Sequence, residues 1–191
     1  MGKIIVFTNL TLDGVMQAPG RPDEDTRDGF LLGGWGVPYN AMAGASVASM
    51  SNIGPMLFGR RTYQDFYTVW HDRTDNPFSP RLDNAQKYVA STTLKEPLIW
   101  KNSTLLKGDA VDAVSDLKLQ EGKDFLVMGS GVLVQSLMQH KLVDVFVLLL
   151  HPLILGNGHR LFTEGLPLVT LKLAESQTTP TGVAIHTYVP D

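Results

Sequence analysis

The sequence predicts an α/β fold with a mostly parallel central sheet and antiparallel C-terminal strands. Three observations carry that expectation. Short apolar runs rich in Val, Ile, Leu and Phe alternate with segments of helical periodicity between residues 3 and 150. Beyond residue 150 strand follows strand, across the turn Thr179-Pro180-Thr181-Gly182. The composition, 43% hydrophobic and 18% charged over 191 residues, suits a chain that buries one core, read as a single domain over 1–191.

Each element has its reason. KIIVFTN (3–9) is a near-continuous, β-branched run, as a central strand requires. Residues 10–38 are rich in Gly, Pro and Asp and read as one long loop, a length that usually serves as a lid or binding loop. YNAMAGASVASMSN (39–52) reads as a helix with small residues that permit close packing. PMLF (55–58) is a short strand, with a helix over 61–69. Residues 71–84 are polar with two prolines and read as a loop. KYVAS (87–91) is a strand, and 97–101 a further short one. Residues 109–119 form a helix presenting Val111, Val114 and Leu117 on one face. DFLVM (124–128) is a strand, followed by the turn Gly129-Ser130-Gly131 and a helix over 132–140. VDVFVLLL (143–150), LVTLKLAESQ and GVAIHTYV complete the sheet, the last two as a hairpin.

The formal net charge of -3 gives no electrostatic reason to expect a nucleic-acid or membrane partner. With no cysteine, a disulfide, a thiolate zinc site and a cysteine nucleophile are excluded. The opening MGKIIVFTNL reads as a first strand rather than a signal peptide, and the longest apolar run, 145–155, is too short to span a bilayer. A cytoplasmic protein is expected.

In open α/β sheets ligands sit beyond the carboxyl ends of the parallel strands, and three such ends here carry suitable chemistry. In LFGRRTY (57–63), Gly59 permits close backbone approach, Thr62 can cap the following helix, and Arg60 and Arg61 match a phosphate monoester. A surface arginine pair at a helix start is the plain alternative. In VASTTL (89–94), hydroxyls can donate to a phosphate, or simply close a turn. Gly129 and Gly131 can expose successive N–H groups as an anion nest, or connect a strand to a helix. Taken together, three anion-binding strand ends suit a dinucleotide with two phosphate centres. The arginines favour an adenosine 2′-phosphate, hence NADPH over NADH.

The landmarks TLDG (11–14), GRRTY (59–63), STT (91–93), MGSGVLVQSL (128–137) and HPLILGNGHRLF (151–162) occur in this order. With them the chain resembles the dihydrofolate reductase-like superfamily, and within it the stand-alone relatives of the reductase domain of the riboflavin-biosynthesis deaminase–reductase. The resemblance implies a three-layer dihydrofolate reductase-like fold, NADPH as cofactor, a homodimer, and hydride transfer to a small heterocyclic or carbonyl substrate, as by a protein resembling 5-amino-6-(5-phosphoribosylamino)uracil reductase of riboflavin biosynthesis. It implies that Gly59, Arg60, Arg61 and Thr62 hold the adenosine-ribose side of NADPH and that Ser91 and Thr92 flank the 2′-phosphate. Gly129, Ser130, Gly131 and Val132 would meet the pyrophosphate. DGVMQAPG (13–20) would be a mobile lid with Met16 as its apolar cover.

The substrate half departs from this pattern. The helix expected over 39–52 has no Asp or Glu, whereas folate reductases hold the pterin with a carboxylate there. The riboflavin enzyme's Gly-x-x-Thr segment followed by Asp-x-Pro-x-Leu is also missing. Substrate-side candidates are Asp13, as a proton relay or an Asp-Gly turn former, with Met16, Trp35, Tyr63 and Trp70. Trp70 and His71 could line a flat pocket, or be core and surface residues. His151 and His159 lack a carboxylate at metal-ligand spacing, so no metal site is expected. Arg160 is either a phosphate contact or solvated. The competing function is a nucleotide-binding protein without catalysis; a divergent dihydrofolate reductase is a further alternative.

Overall fold

The computed structural model describes residues 1–39 and 54–191. Eight strands hydrogen-bond in the order β4-β3-β2-β5-β1-β6-β8-β7. They are β1 (Ile4–Thr11), β2 (Met56–Gly59), β3 (Lys87–Ala90), β4 (Ser103–Leu105), β5 (Phe125–Met128), β6 (Val145–His151), β7 (Leu171–Thr178) and β8 (Ala184–Pro190). The described helices are α1 (Arg60–Trp70), α2 (Ser79–Asn84), α3 (Ala110–Glu121) and α4 (Gly131–Gln139). The sheet is parallel through β4, β3, β2 and β5, and antiparallel through β6, β8 and β7. The expected α/β class with antiparallel C-terminal strands is the one observed. The expected helix over 39–52 lies, past Tyr39, outside the described residues.

Backbone contacts divide the chain into two units, Met1–Ile5 with Ser51–Asp144, and Val6–Met50 with Val145–Asp191. In the first unit the strands are buried on both faces: Met56, Leu57, Phe58, Val89, Phe125 and Val127 are almost wholly removed from water. Each such side chain contributes roughly 1.5–3 kcal/mol of burial, which is why these strands read as unbroken apolar runs. Helix α1 places Tyr63, Phe66, Tyr67 and Trp70 on one stripe at i, i+3, i+4 and i+7. Phe58 meets Tyr63 and Phe66 with ring centroids 6.3 and 5.3 Å apart. Helix α3 starts at the N-cap Asp109, whose carboxylate accepts from the Val111 and Asp112 N–H groups, and stops at Gly122 in the left-handed region.

Two local expectations are corrected in this unit. Residues 97–101 form no strand; the strand lies at 103–105. The reason is Trp100, whose backbone N–H donates to the Tyr63 hydroxyl (2.8 Å) and whose indole N–H donates to Asp83 Oδ1 (2.5 Å), so its donors leave the ladder for side chains. The loop expected over 71–84 contains helix α2, begun by Ser79-Pro80, because proline pre-sets the dihedral of a first helical turn. Lys87 is fully buried at the head of β3, its ammonium held by the carbonyls of Asp83, Ala85 and Lys101 at 2.8–3.2 Å and lying 4.6 Å from the Trp100 ring centroid. Burial pushes its pKa down to about 8.

The second unit organises the long loop around a core of its own. Val15, Ala18, Phe30 and Trp35 are buried together, with Leu153 and Leu155 against them. Two 3-10 turns, Arg27–Gly29 and Val37–Tyr39, interrupt it. At the far edge β7 is exposed over all but its first residue, while Ile185 of β8 is buried.

Candidate functional site

In the first unit the structure brings the three expected strand ends together. β3, β2 and β5 are neighbours, with Gly59 level with Ala90 and Leu57 level with Val127. Their carboxyl ends, 59–62, 91–92 and 129–132, therefore lie side by side. Two helices begin here. α1 has Gly59 as N-cap and α4 has Ser130, and neither cap offers a side-chain hydrogen bond to its helix. The first-turn N–H groups of a helix have no intrahelical acceptor. Two adjacent helix starts thus present uncapped donors, and their dipoles favour a negative charge.

Their side chains are spent on each other. The Gly59 N–H donates to Ser130 Oγ (3.0 Å), the Ser130 N–H donates to Thr62 Oγ1 (3.1 Å), and Ser130 Oγ reaches the Met128 carbonyl at 3.4 Å. This corrects two expectations. Thr62 does not cap its own helix; it receives the neighbouring turn. Ser130 does not leave its N–H for an anion nest, because Thr62 already holds it, and the donors that remain are those of the α4 first turn, Gly131, Val132 and Leu133. Gly129 has φ +60, and a Cβ there would stand 3.2 Å from Thr62 Cγ2, so this position needs glycine. Gly59 has ordinary backbone angles, and a Cβ would meet Ser130 only at 3.8 Å.

Arg60 contacts Gln64 at 3.4 Å, and Arg61 is exposed with no hydrogen bond or ion pair among the described residues. Ser91 is turned inward: its Oγ accepts from the Thr93 and Leu94 N–H groups at 3.1 and 3.0 Å, closing a turn. Thr92 beside it is exposed, as is Val132. Tyr63 is 1% exposed, and its hydroxyl serves Ser103 and the Trp100 N–H, so it is a core residue rather than a substrate contact. Trp70 ends α1, ten residues and roughly 15 Å of helix from Arg60. There it packs on Phe78 and under Arg73, which places it at the other end of the helix from the phosphate-ready turns.

His71, next to it, stacks on Tyr67 and sets one ring nitrogen against Asp83 (3.1 Å) and the other against Asp72 (3.2 Å). The three ligand atoms lie within 4.8 Å of one another. Because each nitrogen already faces its own carboxylate, the plain reading is a histidine bridging two acids.

In the second unit Asp13 is a clamp. It accepts from Thr11 Oγ1 (2.6 Å), Leu155 N–H (3.2 Å) and Gly156 N–H (2.8 Å), and Arg160 reaches it at 3.4 Å. The Thr11 hydroxyl and these N–H groups hold its carboxyl down at about 2. An acid held so far below neutrality carries no proton at neutral pH, and its bonds to Leu155 and Gly156 favour the turn-former reading over the proton relay. Arg160 is exposed, and its Nε donates to the Asp13 carbonyl at 2.8 Å.

The segment 13–20 is tied rather than free. Val15 bridges Arg160, the Met16 N–H donates to the His159 carbonyl (2.9 Å), and Gln17 Oε1 accepts from the His159 N–H (2.8 Å). Met16 itself is half-buried. Gln17, which no motif singles out, is the hub of this loop. It is buried, and its amide also donates to the carbonyls of Asp25 and Arg27. Trp35, 8% exposed, donates its indole N–H to the Gln17 carbonyl at 2.7 Å, and so braces the loop from inside. Gly158 completes the fit, since a Cβ there would come within 2.8 Å of Val15 and Phe30.

Among the described residues no helix is long and apolar enough to cross a membrane. The family model described as the RibD C-terminal domain matches residues 2–185. The curated protein YyaP of Bacillus subtilis, strain 168, is 27% identical over 144 residues, covering 73% of this chain and 75% of that protein. A solved structure of a protein assigned to riboflavin biosynthesis, from Shewanella sp. PV-4, superposes with a TM-score of 0.71 at 23% identity, over 99% of both chains. A pyrimidine reductase-like protein of Corynebacterium diphtheriae gives 0.67 at 9% identity, over 100% of this chain and 92% of that one. At such identities these two likenesses establish the fold alone.

Proposed function

Since the chain belongs to the RibD C-terminal domain family, we propose that it is an NADPH-dependent reductase of a small heterocyclic substrate, of the kind reduced in riboflavin biosynthesis. The observation that carries this reading is the pair of uncapped helix starts at the ends of β2 and β5, joined through Gly59, Thr62 and Ser130. Their unsatisfied N–H groups fit the oxygens of a pyrophosphate. The Gly131, Val132 and Leu133 N–H groups would hold it on one side, and the first turn of α1 on the other. Arg60, Arg61 and Thr92 would bind the 2′-phosphate, with Ser91 shaping the turn beside them.

The cofactor supplies a hydride when bound, and the protein orients it. What this chain's residues do is bind, fix geometry and exclude water. Gly129 brings the β5 turn close against Thr62, and in the second unit the loop 13–38 is braced on its own core of Val15, Phe30 and Trp35. We also read the protein as cytoplasmic and as a homodimer, the dimer favoured by the exposed outer strand β7, whose outer edge is unpaired among the described residues and invites a partner strand.

The test is a titration of the purified protein with NADPH and NADH, followed by nicotinamide fluorescence. Tight binding selective for NADPH is the expected result. Equal and weak binding of both would overturn the cofactor assignment.

A further inference from the structure

The carboxyl ends of β1 and β6 in the second unit hold a group that the cofactor reading does not use. His151, the last residue of β6, is wholly buried. Its Nε2 lies 2.9 Å from Asn9 Oδ1, while its Nδ1 has no hydrogen-bond partner among the described residues. The rings of Trp35 and Tyr39 stand edge-on to it, with centroids 5.1 and 5.2 Å away. Leaving a buried polar atom unmade costs about 1–3 kcal/mol, and such atoms are rare in folded chains. Burial also keeps the imidazole neutral, its pKa down at about 4. With Nε2–H donating to Asn9 Oδ1, Nδ1 carries an unshared pair and lacks a donor.

We propose that His151 Nδ1 is a substrate-anchoring acceptor, which takes a hydrogen bond from a ring N–H or amino group of a flat heterocycle held between Trp35 and Tyr39. This deepens the reductase reading and rests on it. The aromatic neighbours fit a planar ligand, and the neutral acceptor fits a donor that is itself uncharged. The two rings differ in freedom. Trp35 is pinned through its indole N–H to Gln17. Tyr39 is half-buried, and its side chain makes no hydrogen bond among the described residues. His151 acts by holding the substrate, not by delivering a proton.

The experiment is long-range proton–nitrogen NMR of the labelled histidine rings in the full chain, with 5,6-diaminouracil added in the presence of NADPH. In the free protein the His151 Nδ1 signal is expected at the position of a bare acceptor nitrogen, and it moves upfield as the probe binds. His151→Phe keeps the ring shape and is expected to weaken the probe at least about tenfold, the value of one hydrogen bond of about 1.4 kcal/mol, with NADPH affinity unchanged. The wild-type spectrum decides the matter even if that variant folds poorly. If NADPH and the probe both bind and Nδ1 does not move, the anchor is overturned and the reductase reading stands. If Nδ1 is already hydrogen-bonded in the free protein, a buried water explains it and the anchor is likewise overturned. If neither molecule binds, both readings fall.

Discussion

The backbone N–H of Ser130 donates to the hydroxyl of Thr62 over 3.1 Å, and through that bond the turn after β5 is fastened to the first turn of α1. Thr62→Val removes the acceptor while keeping the shape. It should cost about 1–2 kcal/mol of stability, since a part-buried N–H is left unpaired, and weaken NADPH several-fold by loosening both helix starts. Thr62→Ser should restore both. Urea denaturation and the NADPH titration read the two effects, and a Val variant equal to the wild type in both would show the bond to be idle.

Gly131 is the first residue of α4. An aspartate there places its charge where the helix dipole welcomes it but where a bound anion would sit. Gly131→Asp should therefore keep or slightly raise the stability, by up to about 1 kcal/mol, and yet weaken NADPH by about tenfold or more. Unchanged affinity in this folded variant would move the pyrophosphate elsewhere.

Arg60 and Arg61 carry the expected preference for the 2′-phosphate. Replacing both with Ala should reduce NADPH affinity by roughly ten- to hundredfold, as for lost charge-assisted contacts of about 1.5–3 kcal/mol, and leave NADH nearly untouched. Equal losses for the two cofactors would argue against that contact.

Acid stability separates His151 from Asp13 in the second unit. The His151 imidazole takes its proton only near pH 4 in the folded chain, against about 6.5 when unfolded. Between these values the unfolded chain binds more protons, so stability falls as the pH drops from about 6.5 to about 4, by roughly 3 kcal/mol. Asp13 works in a lower window: with its folded pKa at about 2 against 3.8, its contribution is lost only as the pH falls from about 3.8 to about 2. His151→Phe should flatten the upper slope and leave the lower one. Denaturation midpoints measured from pH 7 to pH 2 decide this, and a His151→Phe curve parallel to the wild type would refute it.

Asp13→Asn tests the clamp against the proton relay. It should destabilise the protein by about 1–2 kcal/mol through weakened bonds to the Leu155 and Gly156 N–H groups, and leave the pH dependence of kcat in place. Loss of one limb of that pH profile would return Asp13 to catalysis.

The sequence alone determined seven of the eight described strands, the helix after the Gly129-Ser130-Gly131 turn, and the antiparallel C-terminal pair. These follow from local periodicity and turn chemistry, which adjacent residues carry among themselves. It also marked three strand ends as anion-ready, because glycine, hydroxyl and arginine at a strand-to-helix junction form a local signal. Only the tertiary structure decided how those residues are spent. Thr62 and Ser130 are 68 residues apart and claim each other's hydrogen-bonding groups. Tyr63 was drawn into the core by Trp100, and Asp13 was captured by N–H groups more than 140 residues away. Gln17 and the unpartnered nitrogen of His151 were invisible beforehand for the same reason. Whether a polar atom is satisfied depends on partners that meet only when distant segments pack, and no spacing along the chain encodes that.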